Sequence, residues 1–316
     1  MEEPRVMVYL MTGFLDSGKT QFLKFTLEQD YFQIDGLTLL ILCEEGEEEY
    51  DEKKLFLKSG VKVAHIDGQE ELTEQKLQEL ELQYNPERVI IEYNGMWKVS
   101  DFESMRLPDG WGITQKLTMV DAETFDVYMA NMKPLFVEMV RDADLVLFNR
   151  CQEIAPLAGY RRSVKVVSPQ AEVIFENEDG EIDDIFEGSV PYDVDAPVIQ
   201  IANEDYGIWY VDMMDHPERY KGKVVEITAR AMKPKGFPPE FFMPGRKAMT
   251  CCAEDTSFIG YICKSENPDS WKVGEWLKIR AKVLYKRVKA YRGEGPVLYA
   301  ISMEPAQPVP ELVYFN

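Results

Sequence analysis

Short apolar runs alternate with longer mixed segments through residues 1–175 of the chain. The runs are continuous and rich in Val, Ile and Leu, which is typical of parallel strands that are covered on both faces. The mixed segments place apolar residues at helical spacing. This alternation predicts an α/β fold with a doubly wound parallel sheet. The predicted strands are Val6–Thr12, Leu37–Cys43, Val61–Ile66, Arg88–Glu92, Lys116–Ala122 and Asp144–Asn149, and the predicted helices are Lys19–Gln29, Glu70–Gln83 and Glu123–Arg141.

The pattern changes at residues 176–197, which are acidic, contain Gly and Pro and show little periodicity. Such a stretch predicts a linker. Beyond it, only Asp212–Tyr220 has a helical pattern, and strand-like runs are separated by Gly, Pro and charged turns. Short strands of this kind favour a small, mostly β domain with an OB-like barrel, so we expect domains at residues 1–175 and 198–316. The predicted barrel strands are Val224–Met232, Lys247–Ala253, Phe258–Lys264, Trp276–Val288 and Pro296–Met303.

Composition narrows the class of protein. A chain of 316 residues suits two domains. Its net charge of -21 argues against nucleic acid as a partner, because phosphate backbones would be repelled, but a nucleotide could still bind at a local site. No apolar run reaches the ~18 residues of a membrane span, and the cysteines are scattered, so we expect reduced thiols in the cytoplasm.

The segment Gly13–Thr20 reads G-x-x-x-x-G-K-[ST] between a predicted strand and a predicted helix, which is the context that this phosphate-binding motif requires. Its glycines permit a nest of backbone N–H groups, and the helix adds the positive end of its dipole. Lys19 is expected to reach the β- and γ-phosphates of a nucleoside triphosphate, and Thr20 to hold Mg²⁺. The expected nucleotide-binding residues here are Gly13, Leu15, Asp16, Ser17, Gly18, Lys19, Thr20 and Gln21.

Together with four later segments, this loop resembles the CobW family of metal-handling GTPases. In the second segment, Glu44, Gly46 and Asp51 match the pattern N-E-F-G-x-x-x-x-D. All five segments follow the family's order, and the resemblance ends near the predicted linker. They read TGFLDSGKTQFL from Thr12, CEEGEEEYD from Cys43, EYNG from Glu92, LTMVDAETF from Leu117 and ADLVLFNRCQ from Ala143.

The resemblance implies roles for residues that follow the predicted strands. Glu92 would organise Mg²⁺ directly or through water, although a carboxylate at a strand end is often simply solvated. Glu44 and Gly95 would sense the γ-phosphate, since a glycine N–H can approach closely and the contact is lost on hydrolysis. Asn149 would contact the base. The implied catalytic set is Lys19, Thr20, Glu44, Glu92 and Gly95.

Three departures from the family pattern bear on function. Asp16 stands where the family has Gly; its carboxylate is expected either to weaken binding or speed nucleotide exchange, or simply to point into water. Gln152 replaces the aspartate that accepts hydrogen bonds from guanine; an amide suits adenine better, so we expect GTP or ATP with relaxed base choice. Residues 67–71 lack the cysteines of the family's G-C-x-C-C motif, so zinc binding has little support.

Residues 198–316 look like the C-terminal domain of YcgQ-type, permease-associated bacterial proteins. This likeness implies a membrane permease as a partner. Cys251, Cys252 and Cys263 are candidates for a metal or redox site, or for simple burial. The segments that carry the likeness are Gly222–Ile227, Arg246, Thr250–Asp255, Gly260 and Pro308–Tyr314.

The sequence thus predicts a Mg²⁺-dependent P-loop NTPase of the GTPase type. It would be similar to metallochaperones that act in the homeostasis or transport of metals, in particular of zinc. The alternative is a degenerate, nucleotide-gated scaffold that binds a permease and turns over little, which Asp16, Gln152 and the missing cysteines favour. A metal-dependent client protein and a second copy of the chain are further candidate partners. A small-molecule kinase would share the loop, but no acceptor pocket or lid is identified.

Overall fold

The computed structural model describes residues 4–46, 48, 50–151, 157–182, 190–249, 256–288, 291, 293–310 and 312–313. The chain divides into two compact units. The first contains Met1–Leu157 and Ala171–Asp183, and the second contains Ala158–Gln170 and Asp184–Asn316. Within the described ranges, no helix combines the length and the apolar character needed to cross a membrane.

A parallel sheet forms the centre of the first unit. Its strands are β1 (Val6–Thr12), β2 (Thr38–Leu42), β3 (Val61–His65), β4 (Arg88–Glu92), β5 (Trp111–Asp121), β6 (Leu145–Asn149), β7 (Glu172–Asn177) and β8 (Gly180–Glu181). They follow the order β3-β2-β4-β1-β5-β6-β7-β8, with β8 alone antiparallel to its neighbour. The predicted parallel α/β fold is confirmed. Every residue of β2 and β4 is buried, which is why these strands have continuous apolar patterns.

Helices connect these strands, and two predicted helices differ from the structure: the one predicted at Glu70–Gln83 begins at Glu74, after a 3-10 turn, and another is divided in two. The helices are α1 (Lys19–Leu27), α2 (Glu52–Ser59), α3 (Glu74–Tyr84), α4 (Val99–Glu103), α5 (Phe125–Asn131), α6 (Lys133–Val140) and α7 (Leu157–Val167), of which α7 belongs to the second unit from Ala158 onward, with 3-10 turns at Asp30–Phe32 and Gln69–Glu71. The single helix predicted at Glu123–Arg141 is divided into α5 and α6. The chain turns at Met132, and Pro134 lies in the first turn of α6, where proline is tolerated, whereas inside one long helix it would remove a hydrogen bond.

Helix α2 lies at the end of an acidic run that the sequence analysis did not assign to a helix. The Asp51 side chain accepts a hydrogen bond from the Lys54 backbone N–H at 3.0 Å and so caps its first turn. Gly60, with φ of 62°, follows the last turn. Asp51, which matches the family's second segment, therefore has a capping contact here.

The carboxyl ends of β1, β2, β4 and β6 meet at one edge of the sheet because these strands are parallel. Glu92 at the end of β4 lies opposite both Met11 of β1 and Leu42 of β2. Ligands of open α/β sheets bind at this edge. The fold therefore brings together the three segments that begin near Gly13, Cys43 and Glu92.

The second unit contains a closed five-stranded barrel. Its elements are β9 (Ile199–Gln200), α8 (Tyr206–Asp215), α9 (Pro217–Tyr220), β10 (Val224–Met232), β11 (Phe241–Met249), β12 (Thr256–Gly260), β13 (Ile262–Lys264), a 3-10 turn at Pro268–Ser270, β14 (Trp276–Val288), β15 (Gly293–Pro305) and β16 (Leu312–Val313). The pairs β10–β14, β14–β15, β15–β13, β13–β11 and β11–β10 close the ring. The prediction of a mostly β second domain with such a barrel is confirmed.

Three predicted barrel strands have different boundaries, and one of them, predicted at Pro296–Met303, extends over Gly293–Pro305 as β15. The strand predicted at Phe258–Lys264 is divided into β12 and β13. A Cβ on Gly260 would lie 2.3 Å from the Pro244 carbonyl oxygen, so only glycine allows β11 and β12 to approach this closely. The strand predicted at Lys247–Ala253 overlaps the end of β11, and residues 250–255 lie outside the described part of the chain.

Aromatic side chains fill the core of this unit. Tyr206 and Trp209 of α8 are fully buried, as is Phe242 of β11. The helix predicted at Asp212–Tyr220 is divided into α8, which begins earlier, and α9, whose first residue is Pro217. The sequence alone leaves open whether the aromatics of this half line a docking surface or fill the core; of five of them, Trp209, Tyr210 and Phe242 are buried, and Phe237 and Phe241 pack against the core.

Candidate functional site

The loop between β1 and α1 has a backbone that only glycine permits at two positions. Gly13 has φ of 143° and Gly18 has φ of 90°. A Cβ on Gly13 would lie 2.4 Å from the Met119 carbonyl oxygen, and one on Gly18 would lie 2.4 Å from Asn149 Nδ2. The two glycines of the predicted motif are therefore required both by conformation and by space.

Helix α1 begins directly at the end of this loop. Helix geometry leaves the first backbone N–H groups without intrahelical acceptors, and no side chain caps them at Gly18. The Ser17 N–H donates to the Phe14 carbonyl at 3.2 Å, which closes the loop on itself. Backbone donors and the positive end of the helix dipole thus face the same space, as an anion site needs.

Lys19 is buried at the start of α1, with 3% of its surface exposed. Its Nζ donates to the carbonyl oxygens of Gly13 and Phe14, each at 2.9 Å, and to Glu44 Oε2 at 2.6 Å. The first two contacts fold the lysine back over its own loop. The third joins the loop to the segment that follows β2.

Gly95 completes this arrangement from the segment that follows β4. Its backbone N–H donates to Glu44 Oε1 at 3.2 Å. A Cβ at this position would lie 2.5 Å from the Gly13 carbonyl oxygen and 2.8 Å from Phe14 Cα, so the residue must be glycine. Lys19, Glu44 and Gly95, which the sequence placed in three separate segments, are thus in direct contact.

Glu92 connects α1 with the segment after β2 and is only 3% exposed. Thr20 Oγ1 donates to its Oε1, and the Tyr50 hydroxyl donates to its Oε2, both at 2.7 Å. Burial, and then the charge and hydrogen bond of Glu92, raise the pKa of Tyr50 well above its usual range, so the phenol remains a donor. Tyr50 is not among the residues that the sequence predicted for the site.

The donor chemistry of this cluster fits a magnesium ion. A threonine hydroxyl beside a carboxylate offers oxygen ligands, and Mg²⁺ takes few protein ligands while keeping water or phosphate oxygens. In the part of the chain that the structure describes, no group of three or more His, Cys, Asp or Glu side chains is arranged to hold a metal ion. Cys43 is buried, and burial, with the nearby Glu92 and Glu44 charges, raises the pKa of its thiol to about 12.

A cavity of about 300 Å³ opens over the loop, and another of about 450 Å³ lies beside it. The first contains most of the predicted phosphate-binding residues. It also contains Gly46, Glu48 and Arg150, which were not predicted to bind nucleotide. It is lined by Leu15, Asp16, Gly18, Lys19, Thr20, Gln21, Glu44, Gly46, Glu48, Glu92 and Arg150. The second shares Gly18, Gln21 and Arg150 and adds Phe22, Phe25, Met119, Glu123, Asn149, Glu176, Asn177 and Glu178.

Asn149 and Arg150 tie the end of β6 to the loop. Asn149 Nδ2 donates to the Ser17 carbonyl at 2.8 Å. Arg150, with φ of 54°, donates to the Asp16 carbonyl at 3.0 Å and pairs with Asp121. The Asp16 side chain is exposed at the rim of the cavity. Gln152 lies outside the described residues.

The carboxylates of the second cavity are a feature that the sequence did not indicate. Glu176 follows Phe175 near the end of β7, and its carbonyl accepts a hydrogen bond from the Cys151 N–H at 3.0 Å. Burial and the nearby Glu181 raise the pKa of its carboxyl. Because β7 falls partly in the stretch predicted as a linker, its end could not be placed beside Asn149 from the sequence.

Of the three cysteines proposed for a second site, the structure places one. Cys263 is fully buried in the core of the second unit, and burial raises the pKa of its thiol. Cys251 and Cys252 lie outside the described residues.

Two family models match the chain. The model for the CobW/HypB/UreG nucleotide-binding domain matches residues 7–175, and the model for the DUF1980 C-terminal domain matches residues 184–315. No curated protein matches. Among solved structures, the hydrogenase maturation factor HypB from Archaeoglobus fulgidus is 19% identical, over 55% of this chain and 82% of that one, with a TM-score of 0.41. The Zn(II)-bound YjiA GTPase from E. coli is 22% identical, over 58% of this chain and 60% of that one, with a TM-score of 0.43.

Proposed function

The chain belongs to the CobW/HypB/UreG family through its nucleotide-binding domain, and on that premise we propose that it is a Mg²⁺-dependent nucleoside triphosphatase of the GTPase type. The observation that supports this proposal best is that one cavity is lined by the phosphate-binding loop, Lys19 and the Thr20–Glu92 pair, and that Glu44 of the same cavity accepts a hydrogen bond from the Gly95 N–H. These are a cation, backbone donors and oxygen ligands, which phosphoryl transfer requires together.

Each group has a defined task in this proposal. The backbone N–H groups at the start of α1 and the Lys19 ammonium hold phosphate oxygens. The Thr20 hydroxyl and the Glu92 carboxylate hold Mg²⁺ directly or through water, and Tyr50 orients Glu92. The ion, when bound, neutralises charge on the phosphates. Gly95 senses the terminal phosphate through its N–H.

The base is proposed to bind in the second cavity, beside Asn149. Arg150 and Gln152 stand where the family carries a lysine and an aspartate, so GTP and ATP are both candidate substrates. Competition of GTP against ATP for one site tests this choice. A strong preference for GTP would contradict the relaxed base choice that Gln152 suggests.

The cellular role is proposed to be metal handling, chiefly of zinc, in the cytoplasm. Family membership supports it, as do the reduced thiols of Cys43, Cys151 and Cys263. Residues 67–71 offer no thiolate, so zinc bound at that motif is not part of the proposal. A metal-dependent client, a membrane permease and a second copy of the chain are proposed partners.

The second candidate is a nucleotide-gated scaffold with little turnover. Single-turnover hydrolysis by the wild type and by Lys19→Ala separates the two, with Lys24→Ala on the same helix as the matched control. The enzyme requires phosphate release by the wild type and the control but not by Lys19→Ala. Binding without phosphate release by the wild type would leave only the scaffold.

A further inference from the structure

The Lys19 ammonium has no hydrogen left to offer a ligand while its present contacts persist. An ammonium carries three N–H donors. They are used by the carbonyls of Gly13 and Phe14 and by Glu44 Oε2. The two carbonyls belong to the loop itself, whereas Glu44 belongs to another segment. A phosphate oxygen therefore reaches Lys19 most directly by replacing the Glu44 carboxylate.

The Gly95 N–H is a single donor, and it too is used by Glu44, through Oε1. The packing of Gly95 against Gly13 and Phe14 fixes this donor at the loop. The two oxygens of one carboxylate thus take up both groups that the proposed function assigns to the end of the polyphosphate. A terminal phosphate and the Glu44 carboxylate cannot occupy this position together.

The segment that carries Glu44 is held on both sides of it. The Cys43 N–H donates to the Glu92 carbonyl at 2.9 Å, and Asn94 Nδ2 donates to the Cys43 carbonyl at 3.1 Å. On the other side, Tyr50 is bonded to Glu92. The Glu44 side chain is itself only 9% exposed. The fold therefore holds the buried Glu44 carboxylate in contact with Lys19.

We propose that the Glu44 carboxylate stands in the place of the terminal phosphate and sets the preference of the site for nucleoside diphosphates over triphosphates. The inference rests on the proposed function. A triphosphate must break both Glu44 contacts, because it needs Lys19 and Gly95. A diphosphate does not reach Gly95 and breaks at most the contact with Lys19.

Titration calorimetry with Mg-GDP and a non-hydrolysable Mg-GTP analogue, and with their adenine counterparts, tests this inference. Glu44→Gln keeps the size of the side chain and removes its charge. We expect the affinity for the triphosphate relative to the diphosphate to rise about tenfold, since a charge-assisted contact is exchanged for a neutral one. Glu44→Asp, which is too short to reach both donors, should change the ratio in the same direction by less.

Glu48→Gln is the matched control, because Glu48 lines the same cavity but pairs with Lys24 instead of Lys19. It should leave the ratio of the two affinities unchanged. An equal ratio in wild type and Glu44→Gln, or an equal shift in Glu48→Gln, overturns the inference while the proposed function stands. Failure of wild type and all variants, each shown to be folded by thermal unfolding, to bind any of these nucleotides overturns both.

Discussion

Each unit of the molecule buries a cation, but the two cations have different partners. Lys19 in the first unit is bonded to two loop carbonyls and to the carboxylate of Glu44. Arg246 in the second unit, 2% exposed, donates to the carbonyls of Thr228 and Asn203 and to the Asn203 side chain, and lies over the Tyr206 ring. Burial lowers the pKa of Arg246.

The difference separates a binding group from a structural one. Among the described residues, the hydrogen-bond partners of Arg246 are neutral oxygens of its own unit, so these contacts are part of the fold of that unit. Lys19 has one partner that carries a charge and belongs to another segment. An anionic ligand can replace that partner with little loss of other contacts. A buried cation is thus a candidate for ligand binding when its anion can be exchanged.

The largest expected effect is on nucleotide binding in Lys19→Met. Loss of the ammonium should weaken Mg-nucleotide binding by about 100-fold or more, because the site loses its buried charge-assisted donor. Arg246→Met, the matched change in the second unit, should leave binding unchanged. Calorimetric titration of both variants provides the measurement. Equal losses of affinity would show that the comparison does not distinguish a binding cation from a structural one.

Lys19→Met should have the larger effect on nucleotide binding, and Arg246→Met should have the larger effect on stability. Arg246→Met leaves several buried oxygens without a donor, so the free energy of unfolding of the second unit should fall by about 3 kcal/mol. Lys19→Met should cost the first unit less, about 1 kcal/mol, because the Glu44 carboxylate keeps its hydrogen bond from the Gly95 N–H. Urea unfolding followed separately in each unit gives both values. A larger loss in Lys19→Met would contradict this order.

The sequence predicts Lys19 well and Arg246 poorly, for a physical reason. The loop around Lys19 is contiguous, so its glycines, lysine and threonine form a local pattern between a strand and a helix. The partners of Arg246 lie at Thr228 and Asn203, and only the barrel brings them together. In the sequence, Arg246 is only one of the residues that carry the likeness of the C-terminal domain to a known domain, and its contacts could not be predicted.

The same limit applies within the candidate site. Glu92 ends a predicted strand, and Glu44 and Gly95 follow predicted strands closely, so their meeting at one edge followed from the parallel sheet. Tyr50 reaches Glu92 from within an acidic run that has no periodic pattern, and Glu176 ends a strand hidden by acidic neighbours. Contacts made by strand ends could be predicted, and those made by irregular segments could not.

Each unit also buries a neutral thiol, and here the two units should behave alike. The pKa of Cys43 rises from 9.0 to about 12, and that of Cys263 also rises, both because of burial. A thiol whose pKa is raised by folding stabilises the native state below its unfolded pKa, and this contribution is lost as pH rises toward the folded value. For Cys43 the window is therefore pH 9 to 12.

Unfolding at pH 8 and pH 10 measures this effect. Near pH 10, ionisation of the unfolded Cys43 thiol should reduce stability by about 1 kcal/mol, since one pKa unit corresponds to 1.36 kcal/mol. Cys43→Ala should lose this part of the pH dependence in the first unit, and Cys263→Ala should do the same in the second. An unchanged pH dependence in either variant would mean that its thiol does not stay neutral on folding.

The smallest expected effect is that of Lys24→Ala, which sharpens the comparison within a single helix. Lys24 Nζ lies 2.7 Å from Glu48 Oε2, so α1 is joined to the segment after β2 by this pair as well as by Lys19 and Glu44. The side chains of Lys24 and Glu48 are 34% and 53% exposed, so water and salt screen the attraction between them. We expect Lys24→Ala to lower the free energy of unfolding by about 0.5 kcal/mol or less. The loss of stability in Lys24→Ala should vanish in urea titrations at high salt, because salt screens the exposed Lys24–Glu48 pair. The loss in Lys19→Met should persist at high salt, because the Lys19–Glu44 pair is buried. A salt-independent loss of more than about 1 kcal/mol in Lys24→Ala would contradict this distinction.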